Sequence, residues 1–185
     1  TIDFLNTNHL QGFERGVIKK GLIYGGELVA CIVASKPRYS HHFDLEIVRF
    51  CSKRNTRVLG GFSKLINSLG SVSLISYADR RYSRGRVYEA SGWQLSHSSA
   101  PSYHYTNNYI DTFHRTSFQK HLLKDKLEAF DSSLSEWENM VINGWDRIWD
   151  CGNLVYIKKN LIKHISLNQI RNSCFFKETP IEYQR

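Results

Sequence analysis

The sequence predicts a mixed α/β (α+β) domain built on a mostly antiparallel sheet with flanking helices. Three observations lead to this expectation. Two apolar runs flank the pair Gly25-Gly26, a segment of alternating polarity follows them, and an apolar pattern with helical spacing begins after Gly60-Gly61. The composition, 41% hydrophobic and 23% charged over 185 residues, is that of a globular chain with a sizeable core.

The first three predicted strands follow from the turn and the alternation. The double glycine in GLIYGGELVACIVASK is typical of a two-residue hairpin, because glycine readily takes the positive φ that such a turn requires. The segment FDLEIVRFCS predicts a third strand. Its alternation assigns one face to Leu45, Ile47 and Arg49 and the other to Glu46, Val48 and Phe50.

Helices and strands then alternate. Apolar spacing from Phe62 to Leu69 predicts an amphipathic helix that Gly70 ends, and RGRVYEASGW predicts a short helix that Gly92 ends. Strands are predicted at SVSLISYAD, WQLSH and SYHYTN. This order implies one crossover in the sheet.

The character of the chain changes after about residue 112. TSFQKHLLKDKLEAF predicts one amphipathic helix, and LSEWENMVINGW predicts a second with Ser135 and Glu138 as a capping box. DCGNLVYIKK is typical of a turn that leads into a strand. We therefore predict a main domain over residues 1–112 and a small helical appendage with a basic C-terminal tail over residues 113–185.

Charge and cysteine usage limit the function classes. The net charge of +8 favours polyanionic partners, although a solvated basic face is the simpler alternative. The four cysteines lack a CxxC pair, which favours a reducing, cytoplasmic setting; Cys31 and Cys51 are interpreted as small buried hydrophobes. No histidine spacing suits zinc, and no apolar run is long enough for a membrane helix, so we expect neither a metal nor a membrane.

The stretch RVLGGFSKLINSLG, residues 57–70, favours an anion site. A helix that starts after glycine leaves unpaired amides to which a phosphate can bind. The stretch resembles the pyrophosphate loop of the GNAT acyltransferase superfamily, Arg/Gln-x-x-Gly-x-Gly/Ala. Arg57 and Gly60 match, whereas Phe62 stands where that family has a small residue. The resemblance implies that acyl-CoA binds at Arg57, Val58, Leu59, Gly60, Gly61, Phe62, Ser63 and Lys64. The alternative is a tight strand-to-helix turn.

A second GNAT-like segment follows at the expected distance. VYEASGW, residues 87–93, is similar to the family's LYEKxGF segment, whose tyrosine often protonates the departing CoA thiolate; by position that residue is Tyr88. Tyr88 as a core aromatic is the alternative. Glu46 is a candidate for the base that deprotonates an acceptor amine. The alternative is that Glu46 is only a solvent-facing residue of the strand.

Basic and aromatic residues cluster in two predicted loops, ADRRYSRGRVYE and SKPRYSHHF. Arginine suits phosphates and tyrosine stacks on bases. The candidate nucleic-acid-binding residues are Lys36, Arg38, Tyr39, His41, Arg80, Arg81, Tyr82, Arg84 and Arg86. A solvated basic rim is the alternative for any single arginine.

Longer segments, including LEIVRFCSKRNTRVLGGFSKL and SEWENMVINGWDRIWDCGNLVY, resemble phage-encoded proteins in which a GNAT-like region accompanies a homing-endonuclease domain. The Mom-type DNA-modification transferases of phage are a more distant likeness. These resemblances imply a protein of the bacterial host cytoplasm that acts on DNA, alone or with a fused or partner nuclease. No nuclease signature is present in the sequence itself.

Three functions remain open at this point. The first is an acyl-CoA-dependent transferase that modifies nucleic acid, and the second is a non-catalytic DNA-binding module of a homing-endonuclease-type protein. The third is a structural or regulatory protein that binds another protein through the aromatic appendage, which contains Trp137, Trp145 and Trp149.

Overall fold

The computed structural model describes residues 1–159 and confirms a mixed α+β fold with mostly antiparallel pairing. The helices are α1 Ile2–Asn8, α2 Gly61–Asn67, α3 Arg86–Glu89, α4 Lys120–Leu123 and α5 Glu136–Ile142, with a 3₁₀ turn at Arg115–Phe118. The strands are β1 Ile18–Tyr24, β2 Glu27–Ser35, β3 Leu45–Ser52, β4 Leu74–Asp79, β5 Gln94–Ser98, β6 Tyr103–Thr106, β7 Phe113–His114, β8 Asp146–Trp149 and β9 Asn153–Lys158.

A six-stranded sheet of order β1-β2-β3-β4-β9-β5 contains the predicted hairpin and crossover. Gly25 and Gly26 form the hairpin turn with φ of 58° and 79°, as predicted. β1, β2 and β3 pair antiparallel, whereas β3 and β4 pair parallel, since α2 lies between them in the chain.

A β-bulge at Val48 corrects the predicted faces of β3. Ala34 of β2 pairs with Ile47 and Val33 pairs with Arg49, so Val48 has no direct partner on β2. The extra residue shifts the alternation by one position. Phe50 therefore packs in the same core as Ile47, and Arg49 lies on the opposite face.

The last strands of the sheet also differ from the prediction. The segment SYHYTN supplies β6, which belongs to a separate three-stranded sheet of order β7-β6-β8. β9 instead lies between β4 and β5. Val155 and Tyr156 are adjacent in β9 and both buried, as expected for an inner strand that is covered on both faces.

The described residues form two compact units that interleave along the chain. Within residues 1–159, the sheet unit comprises Thr1–Ala78, Ser83–His97 and 154–159, and the insert unit comprises Asp79–Tyr82 and Ser98–Asn153. The boundary predicted near residue 112 lies inside the insert unit, because the chain returns to the main sheet through β9. The predicted basic C-terminal tail lies outside the described residues.

The insert unit is less helical than predicted. Ser135 and Glu138 form the predicted capping box at the start of α5. The helix predicted from TSFQKHLLKDKLEAF is reduced to the 3₁₀ turn and α4. Lys126 Nζ donates to the carbonyl of Ser117 at 2.6 Å, a contact that a continuous helix would prevent, since it separates residues nine apart by about 13 Å.

Each face of the main sheet has its own apolar cluster. One face packs against α2 through residues such as Ile47, Leu65 and Trp93. The other face contains Cys31, Val33 and Cys51 beneath Leu5 of α1. Within residues 1–159, no helix is both long and apolar enough to cross a membrane.

Candidate functional site

The parallel strands β3 and β4 separate shortly after they meet. Their ladder comprises three residue pairs and ends at Ile47 and Ser76, although β3 continues to Ser52 and β4 to Asp79. The Val48 bulge begins one residue after the ladder ends. We call this point the strand fork; beyond it the two strands no longer pair with each other.

The hydroxyl of Tyr88 lies at the strand fork. Tyr88 Oη is 2.8 Å from Ser76 Oγ, and Ser76 Oγ donates to the carbonyl of Ile47 at 2.9 Å. Since the serine proton is committed to that carbonyl, Tyr88 donates its own proton to Ser76. Burial raises the pKa of Tyr88, while the Ser76 hydrogen bond acts to lower it. The phenol therefore remains protonated at neutral pH.

Aromatic rings surround this hydroxyl-bearing side chain. The Tyr88 ring stacks on Tyr156 with a centroid distance of 4.8 Å and meets Phe62 and Trp93 edge-on at 5.4 and 5.3 Å. Trp93 is 5% exposed, and its Nε1 has no acceptor among residues 1–159. The site is a mainly apolar wall with one phenol hydroxyl and one unsatisfied indole N–H.

The Arg57–Lys64 loop exposes only part of the backbone that the sequence predicts to be free, because Gly61 N donates to the carbonyl of Val58 at 3.1 Å. Gly60 has a φ of 67°, and Lys64 N donates to the carbonyl of Gly60 at 2.9 Å to begin α2. Among residues 1–159, the amides of Phe62 and Ser63 donate to no backbone carbonyl outside the helix. Arg57, Leu59, Gly60 and Lys64 are exposed, whereas Val58 is partly buried and Gly61 is buried.

Phe62 departs from the small residue of the GNAT pattern without covering the loop. Its side chain is 4% exposed and contacts the ring of Phe50 at a centroid distance of 4.9 Å. Ser63 Oγ lies 3.1 Å from Ser91 Oγ. The phenylalanine ring is thus part of the core, and of the two glycines in the loop only Gly60 is exposed.

Glu46 is placed differently from Tyr88. Its carboxylate is buried and accepts three hydrogen bonds from Arg38, which come from the backbone N–H at 2.9 Å, Nε at 3.0 Å and Nη2 at 2.6 Å. Adjacent strand residues point to opposite faces, so Glu46 lies on the face opposite Ile47 and Tyr88. The structure does not bring the two candidate catalytic residues together.

The candidate nucleic-acid-binding residues divide between the two units. In the sheet unit, Lys36, Arg84 and Arg86 are exposed and form no ion pair among residues 1–159, and His41 is also exposed. Tyr39 is 74% exposed and meets Tyr77 edge-on at 5.8 Å.

Two arginines of the insert unit have internal partners. Arg81 pairs with Asp79 at 2.6 Å, and its guanidinium lies 5.3 Å from the ring of Tyr82. Arg80 Nη1 donates to the carbonyl of Cys151 at 3.0 Å. Because these contacts occupy N–H groups of both guanidinium groups, fewer donors are available to an external phosphate.

Sequence reasoning missed Ser76 and the Val48 bulge. The signal for Ser76 was a lone hydroxyl within the apolar strand SVSLISYAD, where a polar side chain needs a partner. The bulge depends on pairing with β2 and has no local signal. In the described part of the chain, no three His, Cys, Asp or Glu side chains come together as a potential metal site.

Comparisons with known proteins do not identify the chain. No protein-family model matches it, and a search of curated proteins finds no significant match.

Proposed function

We propose that the chain is an acyl-CoA-dependent transferase of the GNAT type that acts on nucleic acid in the host cytoplasm. The observation that carries this proposal is the phenol of Tyr88 at the strand fork. The separated ends of β3 and β4 suit the extended pantetheine arm of acyl-CoA, whose amides pair with strand backbone as a peptide does. The exposed side chains of Arg57 and Lys64, on either side of the exposed Gly60, suit the diphosphate.

The proposed chemistry uses Tyr88 as the general acid. An acceptor nitrogen attacks the thioester carbonyl and loses its proton to solvent, while the C–S bond breaks. Tyr88 transfers its proton to the departing CoA sulfur, and the phenolate regains a proton from solvent at the end of the cycle. Ser76 can rotate and donate to the resulting phenolate, because it lies 2.8 Å from the same oxygen. Glu46 forms an ion pair with Arg38, so this geometry does not support Glu46 as the base.

Calorimetry with acetyl-CoA tests the binding step, and transfer of labelled acetyl groups to oligonucleotides tests the reaction. We expect Tyr88→Phe to bind acetyl-CoA within about threefold of the wild type but to lose roughly a hundredfold or more in transfer rate. Tyr24→Phe, a change at the exposed hairpin, is the control and should keep both properties. Absence of binding heat at millimolar acetyl-CoA would overturn the proposal.

A second candidate function, a non-catalytic DNA-binding module, is favoured by the charge of the sheet unit. The described residues of this unit contain 14 Lys and Arg against 6 Asp and Glu. Fluorescence anisotropy with duplex DNA over a range of salt concentrations tests it. Because phosphate contacts release counterions, affinity should fall steeply between about 50 and 200 mM salt. A flat salt dependence, or no binding, would exclude this candidate.

A further inference from the structure

Two buried cysteines face each other across neighbouring strands of the main sheet. Cys31 of β2 and Cys51 of β3 are direct partners in the antiparallel register. Both belong to the apolar cluster beneath α1, where they are 1% and 9% exposed. Their contact has no part in the proposed transfer reaction, because it lies on the face opposite Tyr88.

The register fixes the distance between the two backbones. Lys53 N donates to the carbonyl of Val29 at 2.8 Å, which makes Val29 and Lys53 a hydrogen-bonded pair. Pairs alternate along an antiparallel ladder, so Cys31 and Cys51, two positions further, are also a hydrogen-bonded pair, with Cα atoms about 5.5 Å apart. A disulfide spans Cα distances of about 4.4 to 6.8 Å. The backbones are therefore close enough for a disulfide, and the Cβ atoms, about 5.5 Å apart in a hydrogen-bonded pair, must approach by about 1 Å to form it.

The two thiols also differ in their readiness to ionise. The hydrogen bond between them lowers the pKa of Cys31 and raises that of Cys51. Such a pair contains one better nucleophile and one thiol that retains its proton. This is the division of roles needed for a thiol that reacts first and a thiol that resolves the product.

We propose that Cys31 and Cys51 are a redox modification site that forms a reversible disulfide when the protein meets hydrogen peroxide. Cys31 sulfur attacks one peroxide oxygen, so that Cys31 becomes a sulfenic acid and the first water leaves. Cys51 sulfur then displaces the sulfenic oxygen, which departs as the second water with the Cys51 proton. Two electrons pass from the sulfurs to peroxide, and the S–S bond replaces two S–H bonds.

Access to the sulfurs depends on α1. This helix has seven residues, and Leu5 is its buried contact with the cysteine cluster. A helix of this length has little stability without tertiary packing, so its local opening exposes the pair while the sheet remains folded. The modification is independent of the proposed acyl-CoA function.

The test uses the full chain with Cys151→Ser and Cys174→Ser, which leaves only the proposed pair. After peroxide treatment under native conditions, we expect intact mass to fall by two hydrogens and both thiols to disappear from an Ellman titration in denaturant. Reduced glutathione should restore them. Adding Cys31→Ser to the same background is the control, since one cysteine cannot form an internal bond.

Three results would overturn the proposal. They are oxygen addition without loss of two hydrogens, full retention of both thiols, or a disulfide that glutathione cannot reduce. The same background with Leu5→Ala tests the role of α1 and should oxidise at least about tenfold faster, since burial of Leu5 holds the helix closed. Leu10→Ala, at a residue that is 78% exposed, is the matched control and should leave the rate unchanged.

Discussion

The sheet unit and the insert unit differ in charge and in the chemistry of their cores. The described residues of the sheet unit have 14 basic and 6 acidic side chains, whereas the insert unit has 7 and 9. The basic character of the chain is therefore a property of the unit that contains the strand fork. A search for polyanionic partners should therefore start with the sheet unit. The net charge of the whole sequence does not reveal this location.

The insert unit uses Arg147 within its own core. The guanidinium of Arg147 lies 4.4 Å from the ring of Tyr103 and 4.2 Å from that of Trp137, and its Nη2 donates to Tyr105 Oη at 3.1 Å. Tyr105 in turn donates to Glu136 at 2.7 Å. This unit is held by an aromatic and polar network, while the sheet unit has a mainly aliphatic core, and the two should respond to different substitutions.

Gly85→Ala should produce the largest loss of stability, confined to the sheet unit. Gly85 has a φ of 76°, and a Cβ there would overlap the Tyr156 ring. Overpacking and an unfavourable φ together predict a loss of about 3 kcal/mol. Hydrogen exchange of peptides from β2 and β3 during urea unfolding measures it. Gly92→Ala, with a φ of 71° and open space around its Cβ, is the control and should cost about 1 kcal/mol; equal losses would refute the steric argument.

Asn139→Ala should destabilise the insert unit instead. Asn139 is fully buried; its Oδ1 accepts from Asp131 N at 2.8 Å, and its Nδ2 donates to the carbonyls of Asp131 and Ser135 at 2.9 and 3.0 Å. Removing the amide leaves buried backbone groups without partners, which costs about 2 kcal/mol.

Tryptophan fluorescence during urea unfolding is suited to measuring this loss, because three of the four tryptophans are in the insert unit. Asn107→Ala, at an exposed position, is the control and should change stability by less than about 0.5 kcal/mol. If Asn139→Ala instead weakened the sheet unit, the separation of the two units in stability would be refuted.

The features that could be predicted are those specified by neighbouring residues. The Gly25-Gly26 turn and the Ser135–Glu138 capping box each depend on a few consecutive side chains, and both were correct. The place of β9 in the sheet and the bulge at Val48 depend on pairing with distant strands, so no local pattern specifies them.

The candidate site shows the same division. The sequence singled out Tyr88 and Glu46, but the sheet determines that they lie on opposite faces and that their partners are Ser76 and Arg38. Cys31 and Cys51 were correctly predicted to be buried, yet their pairing follows from the register of β2 against β3. Each of these contacts joins residues from different elements of the fold, so it requires the tertiary structure.

If DNA binds to the sheet unit, as proposed, replacing two exposed arginines there should lower the affinity for DNA by a moderate factor. We expect Arg84→Ala with Arg86→Ala to lower duplex affinity about tenfold, since each lost phosphate contact reduces the logarithmic salt slope by about 0.9. Anisotropy titrations over salt concentration provide both quantities. The matched control replaces two exposed lysines of the insert unit, Lys120 and Lys124, by alanine. An equal loss in this control would remove the distinction between the units as a basis for DNA binding.

The smallest expected effect is a difference in acid sensitivity. In the insert unit, a Ser133 hydroxyl lowers the pKa of Asp131, a Ser135 hydroxyl that of Glu138, and a Tyr109 hydroxyl that of Asp146. In each case the unfolded chain binds the proton more readily, so the contribution to stability is present above about pH 4 and is lost as pH falls below it. Among its described residues, the sheet unit has one comparable group, Glu27, whose pKa is lowered by its hydrogen bond with Lys53. Urea midpoints from tryptophan fluorescence should therefore fall between about pH 5 and pH 3, and the fall should shrink with Glu138→Gln and Asp146→Asn. Midpoints that stay constant over this range would contradict the assignment of these carboxylates to the stability of the insert unit.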